Sequence, residues 1–231
     1  TDLQYLAPRT LDEAVAALAG ANGTGRVLAG GTDLLPLIKT GIATPVELID
    51  LKPSGLSTEI VDHGDRIVLG ALVTLAQIER DALARQRLTA LVDAARQAAT
   101  PQIRNRATIA GNLLQRPRCW YYRSPDVGCW LKGGGGCPAR EGRNEHHAIF
   151  DDSPCVAVHP SDPAGALLAL DASVVVHGAD GDRRVPLDEL FAAPDEARRS
   201  ETVLAADDVI TAIEIPADAG TASSYPKAMD R

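Results

Sequence analysis

Apolar positions recur at helical spacing only in short runs, and each run carries its own start signal. Thr10-Leu11-Asp12-Glu13 has the form of a capping box; Leu11, Val15 and Leu18 follow on one face and Gly20 closes the helix. Thr74-Leu75-Ala76-Gln77 repeats the device and predicts a helix to about Ala84, and residues 87–99 are helical in composition. Runs rich in Val, Ile and Leu predict strands over 26–29, 46–50, 59–62, 66–70, 173–177, 183–186 and 209–215. His63-Gly64-Asp65 joins the third of these to the fourth, and Asp180-Gly181 marks a hairpin. A helix over 34–39, ended by Gly41, completes one strand–turn–helix–strand unit.

This order predicts an α+β protein in two lobes. Residues 1–52 form an α/β lobe and residues 53–231 a second α+β lobe. Within the second lobe the periodicity stops over 116–155, where four consecutive glycines (Gly133 to Gly136) and every cysteine of the chain occur. That stretch reads as a large inserted functional loop.

Charge sharpens the picture. The chain carries a net charge of −8, which argues against nucleic-acid binding. Between Pro101 and Arg143, however, Arg104, Arg106, Arg116, Arg118, Arg123, Lys132, Arg140 and Arg143 face only Asp126 and Glu141. An anion or a partner's acidic face is the expected occupant of so basic a segment. No apolar run approaches the roughly 18 residues that cross a bilayer, and the first residues lack the basic and apolar parts of a signal peptide. The expectation is a cytoplasmic protein without a membrane span, export as a folded complex with a partner's signal being the other route.

Cys119, Cys129, Cys137 and Cys155 fall within 37 residues, separated by 9, 7 and 17 others. Structural zinc favours close C-x₂₋₄-C pairs, so these wide intervals suit the corners of a larger iron–sulfur cluster better. Zinc and disulfides stay open on spacing alone. Nearby arginines would offset a cluster's negative charge, and Trp120, Tyr121, Tyr122 and Trp130 could keep water from it. The glycine run would let backbone amides approach the sulfides. His146 and His147 are alternative ligands that a complete thiolate set makes unnecessary.

Val27-Leu28-Ala29-Gly30-Gly31-Thr32-Asp33-Leu34 lies between a predicted strand and helix, where two glycines can turn backbone N–H groups toward an anion. Ala107-Thr108-Ile109-Ala110-Gly111-Asn112-Leu113 is a second stretch of this kind inside the basic segment. Two such loops could grip a pyrophosphate from both sides, and neither has the form of a G-x-G-x-x-G or Walker motif.

The chain resembles the FAD-binding subunits of the molybdenum hydroxylases, the group of xanthine, aldehyde and carbon monoxide dehydrogenases. The resemblance is carried by L-A-G-G-T-D-L-L at 28–35, Q-I-R-N-x-A-T-I-A-G-N-L at 102–113, H-P-S-D at 159–162, A-L-L-A-L-D-A at 166–172 and the final Y-P-K-A-M-D-R. R-C-W-Y-Y-R and the later cysteines resemble the aldehyde oxidoreductase and 4-hydroxybenzoyl-CoA reductase subset, whose flavin subunits hold an extra [4Fe–4S] cluster. What this implies is a two-lobed PCMH-type FAD domain. FAD pyrophosphate would lie on residues 27–34 with Thr108, Gly111 and Asn112. Asp162 would contact the adenosine half, Leu204 and Lys227 would lie toward the flavin, and the four cysteines would ligate the cluster. The implied partners are a molybdopterin-containing large subunit and a [2Fe–2S] small subunit, in a heterotrimer or its dimer. Members of the group continue into a separate C-terminal domain, which this sequence lacks after Arg231, and many have glycine where Ala110 stands. In such a complex FAD passes electrons to an external acceptor, and no side chain of this chain is catalytic. The rival readings are a stand-alone flavin oxidase and a zinc-stabilised adaptor.

Overall fold

The computed structural model describes residues 2–150, 153–219 and 222–228. It opens with a strand that the apolar pattern does not reveal, β1 (Gln4–Leu6). Three residues carry too little alternation to register; the strand is held by backbone pairing with the Glu47–Asp50 strand, and the Tyr5 hydroxyl adds a hydrogen bond to the Asp50 carboxylate. With β2 (Gly25–Leu28) and β3 (Glu47–Asp50) it forms a parallel sheet in the order β1-β3-β2. Helix α1 (Leu11–Gly20) begins at Thr10, which accepts from the Glu13 amide at 3.2 Å while the Glu13 carboxylate takes the Thr10 N–H. Its Ala14, Val15 and Leu18 pack on Ile49 and Leu51, in a cluster that also takes in Leu72 and Val209. α2 (Leu34–Lys39) is the short helix between β2 and β3.

The second sheet is antiparallel, built from β4 (Ile60–Asp62), β5 (Arg66–Gly70), β6 (Ser173–Gly178), β7 (Gly181–Pro186) and β8 (Val209–Pro216) in the order β4-β5-β8-β6-β7. Its central strand is therefore the last in sequence. Alternation along β6 places Val174 and Val176 in the core, where they meet Ile213 and Ile215 of β8 and the buried faces of the helices.

Those helices differ from their predicted lengths. The helix expected to reach Ala84 divides into α3 (Leu75–Arg80) and α4 (Ala82–Arg87), because Asp81 turns extended and accepts the Ala84 amide at 2.8 Å. The next, α5 (Thr89–Gln97), is shorter than residues 87–99, since Leu88 leaves helical geometry and Ala99 has a φ of 51°. Short helices α6 (Pro101–Arg104) and α7 (Ile109–Leu113) follow, then α8 (Trp120–Arg123) within the cysteine-bearing stretch. α9 (Asp162–Ala169), capped by Ser161, is a helix that the sequence pattern leaves unassigned, and α10 (Leu187–Leu190) follows β7. Among the described residues no helix is long and apolar enough to cross a membrane.

His177 joins α1 to the β6–β7 hairpin, with Nδ1 at 2.6 Å from Asp182 and Nε2 at 3.0 Å from Asp12. The hydrogen bond to Asp182, helped by Asp12, holds the imidazole above its ordinary range. Its contribution is therefore full below the ordinary value near ~6.5 and disappears as pH rises through the raised folded value. Both carboxylates are exposed, so the contribution is below about 1 kcal/mol. In urea titrations at a series of pH values, His177→Gln should lower the midpoint in acid, below the ordinary imidazole range, and leave it nearly unchanged in alkali, above the raised folded value.

Candidate dinucleotide cleft and cysteine cluster

A cleft of about 880 Å³ opens between the two sheets. Its construction depends on one crossing. A Cβ on Gly30 would stand 1.9 Å from the Arg106 carbonyl oxygen, so the glycine loop after β2 lies directly on the chain leading to α7. Gly31 next to it has a φ of 72°. The 106–108 stretch is fixed from behind: Leu75 N–H donates to Ala107 O at 2.9 Å and Ile109 N–H to Val73 O at 2.8 Å. No protein acceptor within the described residues takes the amide hydrogens of Gly31, Thr32 or Asp33, which remain available to an anion. A cradle of this kind fits a diphosphate.

Of the residues singled out in the sequence, Val27, Ala29, Gly30, Gly31, Thr32, Asp33, Leu34, Thr108, Gly111 and Leu204 line this cleft. Thr108 is buried and caps α7, accepting the Gly111 amide at 3.2 Å. Leu28, Asn112, Asp162 and Lys227 stand elsewhere. Asn112 accepts the Ser161 hydroxyl at 2.6 Å. Asp162 is held at 2.7 Å by Lys227 and at 3.0 Å by the Tyr225 hydroxyl, so the two residues expected toward different halves of the cofactor meet each other. Burial, then the Asp162 charge, push the Tyr225 phenol up to about 12. Met229, Asp230 and Arg231 of the final motif lie outside the described residues.

Three arginines of the basic segment find carboxylates within the protein. Arg104 pairs with Glu79 at 3.1 Å, Arg116 with Glu201 at 2.8 Å and Arg123 with Asp33 at 2.8 Å. These carboxylates all come from beyond the segment. Glu201 also lines the cleft, and burial raises its carboxyl above the usual range, partly offset by Arg116. Neither Glu201 nor Arg199, another lining residue, carries a sequence signal. They sit in a stretch without periodicity, and an unbalanced count of arginines was the one available hint.

The cysteine-bearing stretch forms a small core of its own. Cys129 is buried with Tyr122, Trp130, Leu131 and Leu37 of α2, and Cys119 and Cys155 pack against them. All four cysteines are free thiols. Cys129 and Cys137 lie within electrostatic reach of both Cys119 and Cys155. Burial pushes the Cys119 thiol up and that of Cys155 to about 11. His147 places Nε2 3.1 Å from the Cys119 sulfur and stacks edge-on against Trp120. Among the described residues, no group of three or more His, Cys, Asp or Glu side chains is arranged to hold a single metal ion. The first half of the glycine run serves a turn: the Gly133 and Gly134 amides donate to Trp130 O and Cys129 O, each at 2.9 Å. A Cβ on Gly134 would lie 2.8 Å from the Cys129 nitrogen.

Comparison with known proteins agrees with the cleft. The chain is 38% identical over 210 residues to the aldehyde oxidoreductase FAD-binding subunit PaoB of Escherichia coli (strain K12), covering 89% of this chain and 66% of that one. It is 29% identical over 225 residues to the carbon monoxide dehydrogenase medium chain of Hydrogenophaga pseudoflava, covering 97% and 62%. The solved carbon monoxide dehydrogenase from the same organism, in a form lacking the Mo-pyranopterin moiety, matches with a TM-score of 0.69 at 27% identity, over 95% of this chain and 60% of that chain. The chain thus spans no more than 66% of the length of these relatives. Residues 1–218 match the model of the FAD binding domain in molybdopterin dehydrogenase, and the chain belongs to that family.

Proposed function

We propose that this chain is the FAD-carrying electron-transfer part of a molybdenum-dependent hydroxylase or dehydrogenase, with residues 1–52 and 53–231 as its two FAD-binding lobes. The observation that carries the reading is the crossing at Gly30, which brings the glycine loop with its unpaired amides and the Thr108 hydroxyl to one cleft. Flavin supplies the conversion between two-electron and one-electron transfer. The amides of residues 31–33 and the Thr108 hydroxyl would bind the diphosphate, and Leu204 would help keep water from the ring. Oxidation of an aldehyde, aromatic or heterocyclic substrate would take place on a molybdopterin-bearing partner, a [2Fe–2S] subunit would relay the electrons, and an external acceptor would receive them.

For the cysteines, a [4Fe–4S] cluster is the favoured occupant. Cys119, Cys129 and Cys155 share one apolar cluster, Cys137 lies within electrostatic reach of Cys119 and Cys155, and four thiols from separate turns of the chain suit a cubane, which is wider than one ion. The hydrogen bonds of Asp162 with Lys227 and Tyr225 support a role in fastening the C-terminal segment beside α9, alongside the cofactor contacts that the resemblance implies for Asp162 and Lys227.

Protein prepared without oxygen and supplied with FAD, iron and sulfide should show flavin bands and a broad brown absorption, both bleached by dithionite. A colourless, zinc-containing protein would overturn the reading. Cys129→Ser should abolish the brown component while flavin bands persist at saturating FAD. Gly30→Ala should weaken FAD binding at least about tenfold in a fluorescence titration, since a backbone clash has no side chain to yield. Gly20→Ala, whose Cβ meets nothing within 4 Å, should bind FAD normally.

A further inference from the structure

Asp33 stands at the start of α2, where an aspartate ordinarily caps, yet its carboxylate makes no capping bond. Both oxygens instead turn to the cysteine-bearing stretch: Oδ2 accepts the Arg116 amide at 2.9 Å and Oδ1 accepts Arg123 Nη2 at 2.8 Å. Arg123 is locked further by Pro117 O and Arg116 O, each at 2.8 Å. The Arg116 side chain continues the chain of contacts, donating from Nε to the Tyr122 hydroxyl at 2.9 Å and pairing through Nη1 with Glu201 Oε2 at 2.8 Å. Tyr122 then packs in the same apolar cluster as Cys129 and Leu37. A partly buried ionic spine of this kind runs from the loop that holds the diphosphate to the residues that hold the thiols. Arg116, Tyr122 and Leu131 are also walls of the cleft itself.

We propose that Asp33 is a positioning residue that couples the two sites, so that loading the cysteine cluster raises affinity for FAD and FAD raises retention of iron by the same factor. This rests on the function proposed above, in which the cleft takes FAD and the thiols an iron–sulfur cluster. The physical basis is shared ordering. Iron bound at Cys119, Cys129, Cys137 and Cys155 pins the backbone that carries Arg116 and Arg123, and these two hold the glycine loop through Asp33. Whichever site fills first meets the cost of ordering the spine for the other, and the effect is reciprocal by thermodynamic necessity.

The test is a flavin-fluorescence titration of the full chain with FAD, once with the cysteines reconstituted with iron and sulfide and once after chelation of the iron. In the unaltered chain the Kd for FAD should fall at least about fivefold on loading, within the usual range of site-to-site coupling. Asp33→Asn keeps the shape and an acceptor for the Arg116 amide but removes the charge; both chromophores should still bind, with the ratio of the two Kd values near one. Glu201→Gln, at the far end of the spine, should lower the ratio partway and serves if Asp33→Asn does not fold. A purely structural defect would raise both Kd values together and leave the ratio intact, which overturns the proposal. Equal Kd values in the unaltered chain overturn it as well, and leave the FAD and cluster reading standing. Failure of the unaltered chain to bind FAD or iron at all removes both.

Discussion

Where the chain leaves β2, Gly30 meets the Arg106 carbonyl so closely that no side chain fits between them. This contact joins the parallel sheet to the helices of the antiparallel one, and the cleft exists because of it. Residues 31–33, with their unpaired amides, and Thr108 line one cleft on either side of that contact. The left-handed turn at Gly31 and the bridging bonds of Leu75 and Ile109 are arranged around that approach. Hydrophobic burial stabilises each sheet, but it does not by itself specify how closely two loops approach; a missing Cβ does.

Electrostatics then organises the wall of the cleft. An acidic chain with a basic central segment looks, in one dimension, like a docking site for an external anion. Folded, it distributes three of those arginines among Glu79, Asp33 and Glu201, and much of the charge is consumed internally. Such pairs are partly buried and each is made through one carboxylate oxygen, so they fix direction more than they add net stability. That is why the same side chains that balance charge also set the relation between the glycine loop and the cysteines.

The cysteine-bearing stretch has little regular structure, and its order comes from packing. Trp130, Leu131 and Tyr122 bury Cys129 against Leu37, and Arg199 lies over the Trp130 ring at 4.7 Å. Gly133 and Gly134 serve the turn that returns the backbone to Cys129. The stretch is thus integral to the cleft, to which Arg116, Tyr122, Leu131 and Lys132 contribute wall.

Local chemistry alone determined the capped starts at Thr10 and Thr74, most of the strands and the grouping of the four cysteines in one stretch. In each case the causes lie within a few residues: a hydroxyl three positions before an amide, an alternation of period two, a glycine where the backbone must turn. Tertiary structure decided what depends on distant partners. β1 exists because β3 offers it a parallel ladder; Asp162 pairs with Lys227; and Glu201 enters the cleft from a stretch that has no pattern. A side chain's partner is chosen by distance in space, and composition along the chain holds no record of which carboxylate an arginine will find.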